Sequence, residues 1–249
     1  MKNNKFLYIT LSILILILVN ISCTKDGTLE ADSPNGVGGS TARFAISNGH
    51  LYTVDNSSLN VFDITDEENP IFIRQLQIGF GIETIFPRGN TLFIGSQWGM
   101  VIYDISVPSN PVFLSDFSHV FSCDPVVVEG NYAYVTLSTS NRCNRGTNEL
   151  QIIDISNLNS PNLVKIYPMK NPQGLGIDNE LLFICDDGLK VYDASVISDL
   201  KLLQTFDIQA KDVIPYNGLL FVIGDDGFYQ YNYSNGTLSL LSKIAVGSN

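Results

Sequence analysis

The sequence predicts an all-β fold, a five-bladed β-propeller with four antiparallel strands in each blade. Three observations lead there. One phrase recurs along the chain: VFDITDEENP (61–70), IYDISVPSNP (102–111), IIDISNLNSP (152–161), VYDASVISDL (191–200) and QYNYSNGTLS (230–239). Its anchor residues Asp63, Asp104, Asp154, Asp193 and Asn232 are spaced by 41, 50, 39 and 39, and self-similarity at that period is the signature of a propeller or a solenoid. Phe, Tyr and β-branched residues are plentiful and no 3.6-residue apolar period is visible, which selects strands over helical repeats.

The N-terminal residues 1–22 read as a lipoprotein signal peptide. Lys2 and Lys5 precede an apolar run from Phe6 to Val19. That run is shorter than the ~20 residues a spanning helix needs, and it has the length and flanks of a signal h-region. Ser22-Cys23 resembles a bacterial lipobox, which implies lipid on the Cys23 sulfur. Cys23-Thr24-Lys25-Asp26 resembles the short signal that sends lipoproteins of Bacteroidetes-type bacteria to the outer cell surface. Residues 23–40 are small and polar and read as a lipidated N-terminus with a flexible tether. Order is expected to begin near Thr41.

Residues 41–249 divide into five repeats: 41–81, 82–122, 123–171, 172–209 and 210–249. In the first, TARFAIS, LYTVD, LNVFDI and PIFIRQLQI are the four strands, with a turn at Asn48-Gly49. The turn recurs at Arg88-Gly89, Glu129-Gly130, Asp178-Asn179 and Asn217-Gly218. Four short strands with tight turns account for about 40 residues, one blade. Polar residues around 138–148 lengthen the third repeat.

Charge narrows the partners. The chain has 14 basic and 25 acidic residues, a net charge of −11. Loss of residues 1–22, with two lysines and no acid, makes it more negative still. Nucleic-acid phosphates need Lys and Arg, so nucleic acid is excluded as a partner. An anionic membrane surface is excluded too, and membrane contact is expected only through the N-terminal lipid. The expected location is the bacterial outer membrane, on its periplasmic or cell-surface side.

The pattern [LM]-x-[VI]-x-D-[IA]-[ST]-x-x-x-x-P, after an [LY]-[FY]-[VI] strand, resembles the LVIVD-repeat family. It is strongest in the first three units; the last two lack the closing Pro. The resemblance implies an extracytoplasmic propeller and brings no catalytic residues and no cofactor.

The Asp-Ile-Ser phrases read as turn-forming side chains that bond the following backbone. Asp186-Asp187-Gly188 and Asp225-Asp226-Gly227 read as tight hairpin turns, since an EF-type calcium loop needs more oxygens at fixed spacing. His50 and His119 are the two histidines, and no metal, nucleotide or nucleophile motif is present. Six positions back from the Gly or Asn of each turn lie Arg43, Glu83, Asp124, Gln173 and Asp212, predicted to ring the mouth of the central channel. Arg43 is expected to bridge to Asp212 or Glu83 and so to close the ring. The face formed by the second-to-third-strand loops and the blade crossings is expected to carry Phe80, Trp98, Phe121, Arg142, Arg145, Met169 and Lys170, the candidate contact surface for an unknown glycan, peptide or partner protein. A non-enzymatic binding or scaffold role is favoured. The rival is a glycoside hydrolase using Glu83, Asp124 and Asp212, because such enzymes need two carboxylates ~5–10 Å apart.

Two outcomes follow. Cys23→Ala should abolish metabolic labelling with a fatty-acid probe, and persistent label would overturn the lipobox reading. Cys123 and Cys143 fall at the same face of the third blade and are expected to form a disulfide, while Cys185, in LLFIC, is expected to be a buried thiol. Recovery of Cys123 and Cys143 as free thiols in non-reducing peptide mapping would refute the pairing.

Overall fold

In the computed structural model, residues 38–119, 125–139 and 147–246 are described, all within the compact unit Ser33–Asn249. They form twenty strands and no helix. Blade one contains β1 (Phe44–Ser47), β2 (His50–Val54), β3 (Ser58–Asp63) and β4 (Ile71–Gln77). Blade two contains β5 (Ile82–Arg88), β6 (Thr91–Ser96), β7 (Gly99–Asp104) and β8 (Val112–Ser118). Blade three contains β9 (Val126–Glu129), β10 (Tyr132–Leu137), β11 (Glu149–Asp154) and β12 (Asn162–Pro168). Blade four contains β13 (Pro172–Asp178), β14 (Leu181–Asp186), β15 (Leu189–Asp193) and β16 (Lys201–Phe206), and blade five β17 (Ala210–Tyr216), β18 (Leu219–Gly224), β19 (Gly227–Asn232) and β20 (Ser239–Ala245). Each sheet pairs its four strands in chain order, and the sheets form a five-bladed propeller.

The recurring phrase does in each blade what its chemistry dictates. The carboxylate of Asp63, Asp104, Asp154 and Asp193, and the amide oxygen of Asn232, accept the backbone N–H two residues on, at 2.7–3.1 Å. This turn starts the connection to the outer strand. The hydroxyl and backbone N–H of Thr65 hold the Asp63 carboxyl below the usual carboxylate range, and Ser156 and Ser195 do the same for Asp154 and Asp193. The phrase is structural.

Blades one to five stack through four apolar clusters. Tyr52, Val54 and Leu59 of blade one pack on Leu92 and Ile94 of blade two. Phe93 and Ile102 meet Val126, Ala133 and Val135 of blade three. Tyr134 and Ile152 meet Leu175, Leu182 and Ile184 of blade four. Phe183, Cys185 and Val191 meet Val213, Leu220 and Val222 of blade five. Burial of this kind is the main stabilising term of the fold. The expected thiol at Cys185 is free and 1% exposed, and burial pushes its pKa well above the ordinary thiol value.

The fifth seam, between blades five and one, differs. Phe44, Ile85, Val126, Leu175 and Val213 each stand three residues before the last paired residue of an inner strand. The last four are 0–1% exposed, but Phe44 is 57% exposed. On the second strands, Leu51 and Thr53 are only half-buried, where their counterparts in the other blades are fully buried. Across the seam Phe221 is half-buried, with its ring stacked 5.8 Å from Phe228, and Ile223 is 45% exposed. Among the described residues no apolar cluster crosses from blade five to blade one.

Substitution at equivalent strand positions should therefore have unequal effects. Ile85→Ala should cost ~2–5 kcal/mol, and Phe44→Ala less than about 1 kcal/mol, by urea denaturation. Equal losses would mean that the fifth seam is packed like the other four.

Candidate functional site

The inner strands begin at one end of the propeller and there enclose a cavity of about 580 Å³. Its wall includes Thr41, Arg43, Glu83, Gln173, Lys211 and Asp212. Four of the five residues expected to ring the channel mouth thus line one hollow. The fifth, Asp124, lies outside the described residues.

Asp212 is the best-buried of the acids here, at 6% exposure. Its Oδ1 accepts from the Ser40 hydroxyl (3.0 Å) and its own strand's Val213 N–H (3.0 Å). Its Oδ2 accepts from the Thr41 hydroxyl (2.5 Å) and Thr41 N–H (3.4 Å). The Ser40 oxygen also accepts the N–H of Leu175 in blade four, at 2.8 Å. Gly39 and Gly174 leave room for this clasp, because a Cβ at either position would collide with the Asp212 carboxylate. Burial raises the Asp212 pKa, and the hydrogen bonds oppose the rise without cancelling it.

One expectation is corrected. Gly39 and Ser40, just ahead of Thr41, are buried, and Ser40 closes the clasp. Arg43 bridges neither acid: it donates to the Ile82 carbonyl at 3.2 Å, and among the described residues no carboxylate lies within 4.0 Å of it. The hydroxyls ahead of β1 have taken Asp212, and Glu83 accepts from the Gln97 amide at 3.0 Å. Hydroxyls from a turn already held in place satisfy a buried carboxylate as a cation would.

Lysines pair with the acids of the two aspartate hairpins. Asp186 takes Lys190 (2.6 Å), Asp187 takes Lys170 (3.2 Å), Asp225 takes Lys211 (3.1 Å) and Asp226 takes Lys243 (2.6 Å). Asp186 is buried and also accepts the Lys170 and Asn171 N–H groups. The other three pairs are exposed and contribute little.

Of the expected contact face, Phe80 and Trp98 are 77% and 59% exposed. They sit on adjoining loops, because Gly81 lies against the Gln97 side chain, and Gln97 in turn holds Glu83 of the cavity wall. Met169 and Lys170 are at the crossing between blades three and four. Phe121, Arg142 and Arg145 lie outside the described residues, as do Cys23, Cys123 and Cys143.

The LVIVD repeat is matched at residues 38–77, 85–118 and 122–168. No curated protein matches the chain. Several solved structures are similar. A functionally unknown protein from Desulfotomaculum acetoxidans has a TM-score of 0.67 at 12% identity, over 85% of this chain and 71% of that one. The periplasmic gluconolactonase of Pseudomonas aeruginosa has a TM-score of 0.61 at 11% identity, over 80% of this chain and 68% of that one. A putative 6-phosphogluconolactonase from Bacteroides fragilis has a TM-score of 0.59 at 10% identity, over 81% of this chain and 69% of that one. At such identities the likeness is one of fold alone.

The pH dependence of the clasp has a definite sign. Asp212 has a folded pKa above its unfolded value, so its contribution is fully present below the unfolded pKa and is lost as pH rises through the folded one. Asp212→Asn does not titrate there. The stability of wild type relative to Asp212→Asn should therefore fall as pH rises above the ordinary aspartate value of 3.8 in paired denaturation curves; a rise would refute the buried, burial-dominated carboxyl. Gly174→Ala should destabilise by about 1–3 kcal/mol by overpacking against that carboxylate, and a neutral outcome would show that the clasp has slack.

Proposed function

We propose, for a chain that belongs to the LVIVD-repeat family, that the propeller is a surface-tethered, non-enzymatic binding module that takes a glycan, a peptide or a partner protein at the mouth of its central cavity. The lipid on Cys23 is its anchor to the outer membrane. The observation that supports binding is the state of the charged groups. Asp212 is committed to the clasp and Glu83 to Gln97. Arg43 lines the cavity with a backbone carbonyl as its hydrogen-bond partner and keeps donors to offer. Arg presents five donors in a planar fork. The exposed rings of Phe80 and Trp98 on the same face add the aromatic surface that binding sites use.

The same state of the acids argues against a hydrolase. General acid catalysis and nucleophilic attack need carboxylates free to exchange a proton with substrate or water. Asp212 instead has both oxygens occupied by protein donors. The likeness in fold to lactonases makes lactones a fair addition to the substrates to be tried.

The mature chain carrying Cys23→Ala, free of lipid, should bind members of a glycan array or a peptide library. Arg43→Ala should weaken that binding about tenfold or more, and Gln173→Ala should weaken it as well. It should turn over neither polysaccharides nor lactones. Absence of binding across both libraries would overturn the proposal, and so would turnover lost in Glu83→Gln.

A further inference from the structure

The cavity is not polar all round. Ile223, at the end of β18, is part of its wall. The same side chain belongs to the blade-five face of the fifth seam, where it pairs in register with Asp212 on one side and Phe228 on the other. The hollow that contains the uncompensated Arg43 is therefore continuous with an incompletely packed apolar surface: Ile223 and Phe221 on blade five, Phe44 and Leu51 on blade one. In the other four seams the equivalent side chains are buried against the next blade. Here they are 45% exposed at Ile223 and 57% at Phe44.

We infer that the cavity binds a small amphipathic carboxylate, with the anionic group on Arg43 and the apolar group directed along Ile223 into the seam between blades five and one. This rests on the reading of the propeller as a binding module and names the class of ligand. Charge selects the head. Arg43 is the cavity cation without a carboxylate partner among the described residues, whereas Lys211 already faces Asp225 at 3.1 Å. A carboxylate meets a guanidinium through two parallel hydrogen bonds, a geometry a neutral amide cannot reproduce. The seam selects the tail. Each buried methylene contributes about 0.8 kcal/mol, and half-exposed Phe and Ile side chains gain by being covered. A sugar acid offers the first group without the second. A peptide ending in an apolar residue and a fatty acid both offer the two together.

Four probes separate these cases by calorimetry on the mature Cys23→Ala chain: acetyl-Ala-Ala-Phe with a free carboxylate, its C-terminal amide, decanoate, and galacturonate. The free-acid peptide or decanoate should bind at least about tenfold more tightly than the amide or galacturonate. Whichever of the two is tighter identifies the source of the chemistry. Arg43→Gln should remove the preference for free acid over amide. Ile223→Asn, a neutral polar residue at a half-exposed position, should weaken both apolar probes and leave galacturonate unchanged. Galacturonate binding as tightly as the apolar acids would overturn the inference, as would an amide equal to the free acid. If none of the four binds while the glycan array or peptide library still gives ligands sensitive to Arg43→Ala, the inference falls and the binding module stands. If those libraries are silent too, both fall.

Discussion

One buried carboxylate closes this molecule. Asp212 stands on the inner strand of blade five, and its ligands come from the turn ahead of β1, at the other end of the fold. That turn, Gly39 to Ala42, is itself closed by a hydrogen bond from Ala42 N–H to the Gly39 carbonyl. It reaches four blades. It runs into blade one, its Ala42 carbonyl accepts Ile85 N–H of blade two, its Ser40 accepts Leu175 N–H of blade four, and its hydroxyls hold blade five. A polar network of this kind is worth most where it is fully satisfied and shielded from water. Ser40 is 1% exposed and Asp212 6%.

The clasp matters because the apolar effect does not finish the ring. Four seams are closed by buried aliphatic and aromatic side chains, and removing any of these leaves a cavity. The fifth has Phe44, Leu51, Phe221 and Ile223 in the right places, but they remain partly in water. Apolar packing is non-directional and tolerates a loose fit, whereas hydrogen bonds to a buried carboxylate demand one geometry. The fifth seam is thus fixed at the clasp by direction-dependent chemistry while its apolar contacts on the inner and second strands are left slack. The ligand entry proposed between these two blades would use that combination.

The repeat and the blade were legible because their signals are local. The Asp of each phrase bonds the backbone two residues on, and a tight turn needs particular residues at fixed offsets. The ring of channel-mouth residues was legible only approximately. Counting back from the turn's Gly or Asn treats that residue as occupying one turn position throughout. In the hairpin Ser47–His50 the Gly is the second turn residue, and in Arg88–Thr91 it is the first. The strand equivalents of Arg43 and Asp212 are therefore Thr84 and Gly174 in blades two and four, not Glu83 and Gln173. Register shifts near Ile82 and Pro172 still bring Glu83 and Gln173 to the cavity wall. The role of Ser40 left no local sign. A serine at the end of a polar, glycine-rich stretch looks like linker until the strand it meets, 172 residues on, is known. The partner of Arg43 was missed for the same reason: pairing by charge alone ignores hydroxyls that reach the acid first.

Every blade is made of four strands adjacent in the chain, and no sheet borrows a strand from the other end of the described chain. The unit that recurs in the sequence is then the same as the unit that folds as a sheet. Duplication or loss of one repeat in a gene would insert or excise a whole blade and sever no ladder of backbone hydrogen bonds. What such an event disturbs most is the clasp: the Ser40 and Thr41 hydroxyls before the first blade and the Asp212 carboxylate on the inner strand of the last. Propellers built this way can change their number of blades over evolutionary time at a single point of the circle, and the width of the gap at that point would change with it.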